Sequence, residues 1–176
     1  PISTTAVLKF CGPLALTNLL VWSQMHAYRI ITDKKIGSDL MSDLAVAIGV
    51  ALAVFSMVET VVNQYFYPSL LRSIVDKPQA ERVKIWVRIF KKGTIIYTNL
   101  AVFVMCSAQS LLILLTDKKF HDVYILTSFA AFMELGRVIN NLFLLLFQSE
   151  KRTDLTILPY FVGAVTLLVC LLVFEI

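Results

Sequence analysis

Residues 43–66 read DLAVAIGVALAVFSMVETVVNQYF, and this stretch decides the class of fold. Between Asp43 and Glu59 it contains no charged side chain. The hydrocarbon core of a bilayer is about 30 Å thick, and an α-helix crosses it with about 20 mostly apolar residues. A strand of a membrane β-barrel would instead alternate apolar and polar side chains over about 10 residues. The stretch therefore predicts a membrane-spanning α-helix.

The composition of the whole chain supports this prediction. Of the 176 residues, 58% are hydrophobic and 16% are charged, whereas soluble globular proteins have roughly 45–50% apolar and about 25% charged residues. Six Gly, five Pro and three Cys are too few for a collagen-like chain or a disulfide-rich scaffold. These values exclude a soluble or disordered protein and predict an integral membrane protein.

Four further apolar stretches have the length of a membrane span. We therefore expect an all-α fold, a polytopic transmembrane helix bundle with about five membrane-spanning helices. The expected helices cover, approximately, residues 6–30, 43–66, 94–115, 122–147 and 157–174. Lys and Arg are enriched in cytoplasmic loops. Ten of them lie on the side of the 67–93 and 148–156 connections and five on the opposite side, so we place 67–93 in the cytoplasm.

The 67–93 connection contains a segment with a helical pattern of its own. Residues 79–92 read QAERVKIWVRIFKK, in which Trp86 and Phe90 share an apolar face and basic residues cover much of the rest. One interpretation is an amphipathic helix that lies on the cytoplasmic membrane surface and is attracted to anionic headgroups. The other interpretation is a cytoplasmic extension of the third span.

Polar side chains within the expected spans are the candidate functional residues, because such groups usually face a bundle interior or a cavity. The candidates for substrate binding are Asn18, Trp22, Arg29, Arg137, Asn140 and Asn141. The candidates for ion coupling or a structural polar role are Glu59, Asn63 and Glu134. Arg29 is either a snorkelling residue at the membrane interface or an unpaired cation that faces a cavity.

The depth of each residue limits which charges can form pairs. At about 1.5 Å per residue, Glu59, Glu134 and Arg137 lie at similar depths along their helices. Arg137 can therefore contact Glu134 within one helix or Glu59 across two helices, and the i,i+3 spacing favours Glu134. A structural clamp and a substrate-lining role are both open for this group.

The sequence offers no catalytic or metal-binding pattern, so we expect neither an enzyme nor a cofactor. No phosphate-binding loop, nucleophile elbow or HExxH motif occurs. No second metal ligand stands at helical spacing from His26 or His121. The three cysteines lie in apolar runs without metal-ligand spacing, and we expect them to be buried small hydrophobic residues.

Two parts of the sequence resemble a known family. The first is Phe10-Cys11-Gly12-Pro13-Leu14 followed by Trp22 and by Tyr28-Arg29-Ile30-Ile31, and the second is Gln64-Tyr65-Phe66-Tyr67-Pro68. Both are similar to the second half of the bacterial polysaccharide (O-antigen-type) lipid flippases. These flippases belong to the multidrug/oligosaccharidyl-lipid/polysaccharide exporter superfamily. The motifs are short, but the order of helices is compatible with the resemblance along essentially the whole chain.

The resemblance implies a function and a set of partners. Residues 1–176 would form part of a C-terminal transmembrane lobe, and an N-terminal lobe of the same polypeptide would be missing. The ligand would be a lipid-linked oligosaccharide in the bacterial cytoplasmic membrane, with membrane lipids as further partners and no nucleic acid. Arg29 matches a family arginine that lines a cationic cavity and helps to hold the lipid-linked phosphates. The alternatives are an exporter of drugs or other lipids in the same superfamily, or an unrelated membrane enzyme or assembly subunit.

Overall fold

The computed structural model describes residues 4–74, 77–149 and 153–173, and it confirms the all-α fold. No β-strand occurs in these ranges. The α-helices are α1 (Thr4–Ile36), α2 (Ser38–Ile74), α3 (Gln79–Leu115), α4 (Tyr124–Ser149) and α5 (Ile157–Val173). Two short 3-10 helices, Lys118–Val123 and Thr153–Thr156, precede α4 and α5.

Within the described residues, three helical segments are long and apolar enough to cross a membrane. They are Ser38–Ser73, Gln79–Leu115 and Lys118–Phe147, and they contain the expected spans 43–66, 94–115 and 122–147. The last expected span corresponds to a shorter apolar helix, Asp154–Leu167, and its end at residue 174 lies outside the described residues. The first expected span, residues 6–30, lies within the helix α1, which is not among these three segments.

The chain divides into two compact units, which we describe separately. Unit 1 comprises residues 1–41 and 147–176, and unit 2 comprises residues 42–146. In unit 1, α1 packs against α5 and against the short helix Thr153–Thr156, and two of the contacts are polar. The hydroxyl oxygens of Thr17 and Thr156 are 2.9 Å apart, and Gln24 Nε2 donates a hydrogen bond to the carbonyl oxygen of Tyr160 at 2.6 Å.

Unit 2 contains a core shared by α2, α3 and α4. Its buried members are Phe55, Val62, Tyr97, Ala101, Val104, Ala131, Val138 and Leu142. Small residues let helices approach closely where lipid replaces water as the surrounding solvent. Gly93 is one such point of close approach, because a Cβ atom added there would lie 2.8 Å from Leu142 Cδ1. The core therefore depends on close contact between α3 and α4.

The structure corrects the prediction of a long connection at 67–93. α2 continues to Ile74 and α3 begins at Gln79, so most of this range is helical. Residues 79–92 form the first part of α3. They therefore extend the third expected helix, as in the second of the two interpretations. Trp86 explains the arrangement, because its buried indole Nε1 donates a hydrogen bond to Leu142 O at 3.0 Å. A helix lying on the membrane surface would have turned this ring towards lipid.

The connection at 31–42 is also shorter than expected. α1 runs to Ile36 and α2 starts at Ser38, so only Gly37 separates them. Gly37 has a φ of 85°, a conformation that glycine adopts without the steric cost of a side chain. The charged residues of this range did not end the helix, because helix formation requires backbone geometry and not apolarity.

The expectation that the cysteines are buried is wrong for two of them. Cys11 and Cys106 are free thiols and are exposed, while the side chain of Cys170 lies outside the described residues. In a soluble protein, apolar residues avoid the surface because they face water there. Cys106 lies in α3, which is long and apolar enough to cross a membrane, so the surface around it is suited to lipid and the exposed thiol needs no protein cover.

Candidate functional site

Four polar side chains that the sequence singled out meet inside unit 2. Arg137 Nε donates to Glu134 Oε2 at 2.7 Å, and Arg137 Nη2 donates to Glu59 Oε2 at 2.9 Å. Asn141 Nδ2 donates to the other oxygen of Glu59, Oε1, at 2.7 Å. Glu59 belongs to α2 and the other three belong to α4. We call these four residues the Arg137 cluster.

The helical spacing of α4 explains the cluster. Glu134, Arg137 and Asn141 stand at i, i+3 and i+7, so one face of α4 presents all three. The sequence left Glu134 and Glu59 as alternative partners of Arg137, and the i,i+3 spacing favoured Glu134. The structure shows that both contact it. A guanidinium can donate hydrogen bonds in several directions at once, so the two alternatives do not exclude each other.

The cluster is shielded, and its members use one another as partners. Glu134 is 6% exposed, and the side chains of Glu59 and Arg137 are 15% and 26% exposed. A buried ion pair is costly to break, because removal of one partner leaves an uncompensated charge. The direct contacts join α2 to α4 across the unit. This geometry gives the cluster the means to hold two helices together.

Asn63 and Asn140 lie near the cluster in sequence but do not join it. Asn63 is exposed one turn beyond Glu59, and Asn140 is half-buried beside Asn141. The substrate-binding roles of Arg137, Asn140 and Asn141 stay predictions, as does an ion-coupling role of Glu59, Asn63 and Glu134. The cluster contains two carboxylates and one guanidinium, so it is poorly suited to hold an anion by charge alone.

The predicted residues of α1 are arranged differently. Asn18, Trp22 and Arg29 are all exposed, and their spacing of four and seven residues places them on one face. Thr17 and Gln24, which contact Thr156 and Tyr160, lie on another face of the helix. Arg29 does have an interaction of its own, so the interpretation as an unpaired cation is wrong.

A groove between α3 and α4 was not foreseen from the sequence. It has a volume of about 610 Å³ and is lined by Met105, Cys106, Ala108, Gln109, Tyr124, Ile125, Ser128, Phe129 and Phe132. The lining is mainly apolar and aromatic. The repeat of large side chains at 125, 129 and 132 on α4 was the available signal, but such a stripe also describes an ordinary lipid-facing surface.

A metal centre has no counterpart in the part of the chain that the structure describes. Within residues 4–74, 77–149 and 153–173 no group of three or more His, Cys, Asp or Glu side chains comes close enough to hold a metal ion. Comparison with known proteins adds no assignment: no family model matches the sequence, and neither a characterised protein nor a solved structure shows significant similarity.

Proposed function

We propose that the chain is part of a transporter that moves a lipid-linked oligosaccharide, the repeat unit of a polysaccharide, across the bacterial cytoplasmic membrane. The observation that carries the proposal is the exposed face of α1 formed by Asn18, Trp22 and Arg29. Polar and charged groups at membrane depth usually face a water-filled cavity or a bundle interior. We define these three residues as the α1 polar face.

The chemistry of the α1 polar face suits the parts of such a substrate. Arg29 offers a planar fork of N–H donors, which can bind a phosphate through two hydrogen bonds at once. The amide of Asn18 can both donate and accept, as recognition of sugar hydroxyls requires. Trp22 is 61% exposed and combines a flat apolar ring with one N–H donor. The sequence resemblance to lipid flippases supports the same substrate class.

In this proposal the two groups of polar residues have different tasks. The α1 polar face contacts the substrate, and the Arg137 cluster keeps α2 and α4 together because its members contact one another. The chain would cross the cytoplasmic membrane several times and would function together with an N-terminal lobe of the same polypeptide. No catalytic step is required of the protein.

The test is a transport assay with the full polypeptide that contains this chain. The protein is reconstituted into liposomes with a polyprenyl-diphosphate-linked disaccharide, and a membrane-impermeant glycosidase reports the sugar that has changed leaflets. Arg29→Ala should lower the initial rate about tenfold or more, because a hydrogen bond to a charged group contributes about 1.5–3 kcal/mol. Arg29→Lys should retain part of the rate, since it keeps the charge but loses the fork.

Lys118→Ala is the matched control, because Lys118 is also an exposed cation but lies on the short helix before α4. Its rate should equal that of the unmodified protein. Full transport by Arg29→Ala at equal protein level would remove Arg29 from the proposal. A protein that moves a cationic dye but not the lipid-linked sugar would instead be a drug exporter of the same superfamily.

A further inference from the structure

The first part of α3 carries exposed basic side chains on the side opposite its packing contacts. We call Lys84, Arg88, Lys91 and Lys92 the basic stripe. All four are exposed, and their spacing of four, three and one residues places them on one side of the helix. The buried residues of the same segment are Trp86, Ile89 and Gly93, which lie on the other side. The stripe is therefore a surface that the fold of unit 2 does not use.

The charge of the basic stripe is not balanced by an ion pair with any residue that the structure describes. Glu81 is the one acidic residue of α3, and its carboxylate contacts Lys77 Nζ at 3.0 Å. Like charges at i,i+4, such as Lys84 and Arg88, weaken a helix slightly. An external anion would relieve this repulsion.

The position of the stripe indicates which anion this is. The same face continues beyond Lys92 with Ile95 and Val102, which are 62% and 54% exposed. Asn99 lies between them, and its exposed amide donates a hydrogen bond to Ile95 O. The change from cationic to uncharged, mainly apolar side chains within one turn marks the level where hydrocarbon meets lipid headgroups. Lys91 and Lys92 lie at this level. Arg88 and Lys84 stand roughly 6 and 12 Å further along the axis, a distance comparable with the Debye length of about 8–10 Å.

We propose that the basic stripe is a binding site for the headgroups of anionic phospholipids. Lys91 and Lys92 would contact the phosphates directly, and Arg88 and Lys84 would add attraction from further out. An acidic protein is the competing partner. The lipid is favoured because the stripe adjoins exposed apolar side chains that are suited to a lipid tail, so one phospholipid fits both parts. The site is separate from the α1 polar face and does not depend on the transported substrate.

The experiment measures lipid association with the full polypeptide in bilayers of phosphatidylcholine. Spin-labelled phosphatidylglycerol or spin-labelled phosphatidylcholine is added, and the motionally restricted fraction gives the relative association constant. The unmodified protein should prefer phosphatidylglycerol about fivefold or more, as expected for one or more basic residues near the membrane surface. The preference should fall as the salt concentration rises.

Two double variants separate the stripe from other cations. Lys91→Gln with Lys92→Gln should remove most of the preference, whereas Lys118→Gln with Lys119→Gln, an equal change of charge on the segment before α4, should leave it unchanged. A quadruple variant of the whole stripe should bring the ratio close to one. Circular dichroism and thermal unfolding check that each variant keeps the fold, which is expected because the four side chains are exposed.

Two results would overturn the proposal. One is an unmodified protein that binds phosphatidylglycerol and phosphatidylcholine equally. The other is a preference for phosphatidylglycerol that survives in the quadruple variant. If the unmodified protein ignores phosphatidylglycerol but binds polyglutamate through the stripe, the surface belongs to an acidic protein partner and the lipid proposal fails.

Discussion

The polar residues of unit 2 and those of α1 are arranged in opposite ways. In unit 2, the Arg137 cluster turns two carboxylates, a guanidinium and an amide towards one another. On α1, the polar face of Asn18, Trp22 and Arg29 is exposed. Hydrogen bonds inside a bundle contribute to stability, whereas exposed side chains can be reached by a ligand. The role of a polar residue in an apolar helix is therefore inferred from its contacts, because the residue type alone does not determine that role.

The largest effect is expected from Arg137→Ala, which leaves the two glutamates of the cluster without their shared cation. Loss of one partner of a buried ion pair costs about 3–5 kcal/mol in soluble proteins. We expect a lower midpoint of thermal unfolding in detergent and lower abundance in the membrane. Because Arg137 contacts both carboxylates, adding Glu59→Gln or Glu134→Gln alone should restore part of the stability, and adding both should restore most of it.

Arg88→Ala is the control for this prediction, since it removes an exposed arginine of unit 2 and should leave the unfolding midpoint unchanged. An Arg137→Ala protein that is stable but does not transport would break the comparison. Arg137 would then belong with the substrate-binding residues.

A smaller effect is expected where α3 and α4 approach closely. Gly93→Ala would place a Cβ atom 2.8 Å from Leu142 Cδ1, and overpacking typically costs about 1–3 kcal/mol. The nearest atoms are the ends of one leucine side chain, so we expect the lower part of this range, before the gain in helix propensity that Gly93→Ala shares with its control. Gly136→Ala is the matched control in α4, because a Cβ atom there meets nothing within 4 Å. Gly136→Ala should stabilise by up to about 1 kcal/mol.

Thermal unfolding of both variants under the same conditions measures the difference. Equal shifts of the unfolding midpoint for Gly93→Ala and Gly136→Ala would show that the contact between α3 and α4 is looser than described. The packing inside unit 2 would then be too loose to distinguish its interior from the exposed surface of α1.

The two tryptophans of the chain permit a direct comparison of the two regions. Trp86→Phe keeps an aromatic ring beside Phe90 and Phe143 but removes the hydrogen bond to Leu142 O. This should cost about 1 kcal/mol. Trp22→Phe should leave the stability unchanged, because Trp22 is exposed. In the single-tryptophan proteins, acrylamide in detergent micelles should quench Trp22 more strongly than Trp86, and the reverse order would contradict the assigned environments.

The smallest effect on stability is expected for Asn18→Ala and Trp22→Ala. Exposed substitutions usually change the free energy of unfolding by less than about 0.5 kcal/mol, yet the proposed function requires both side chains at the substrate. We expect normal unfolding midpoints together with a reduced rate of leaflet transfer of the lipid-linked disaccharide. Loss of stability without a change in the rate for the remaining folded protein would assign the α1 polar face to packing.

Much of the fold follows from the sequence, because long apolar runs have few alternatives to helices. The runs at 43–66, 94–115 and 122–147 lie within helices that can cross a membrane. The extent of these helices could not be predicted from hydropathy. α2 continues past its apolar stretch to Ile74, and α3 begins before its apolar stretch, at Gln79. Both extensions contain charged residues, because a charged side chain that can reach water does not end a helix.

Of the candidate site, the participants were predictable but their pairing was not. Helical spacing and depth brought Glu59, Glu134 and Arg137 into one short list, and the structure joins all three with Asn141. The contact with Glu59 depends on how α2 packs against α4, which no local pattern determines. The groove between α3 and α4 was missed for the same reason, because its walls belong to two helices.

The length of α3 has a further consequence for the second hydrophobic cluster of unit 2, formed by Leu70 and Ile89 with Phe66, Ile85 and Leu145. Ile89 precedes Lys91 and Lys92, so the charge pattern places this cluster at the water-facing end of the helices. Water drives apolar groups together there, at about 25 cal/mol per Å². The other end is suited to lipid, where packing and hydrogen bonds replace that driving force. The two ends of this three-helix unit are thus suited to different solvents. Urea should therefore loosen the Leu70–Ile89 end at concentrations that leave the Arg137 cluster intact.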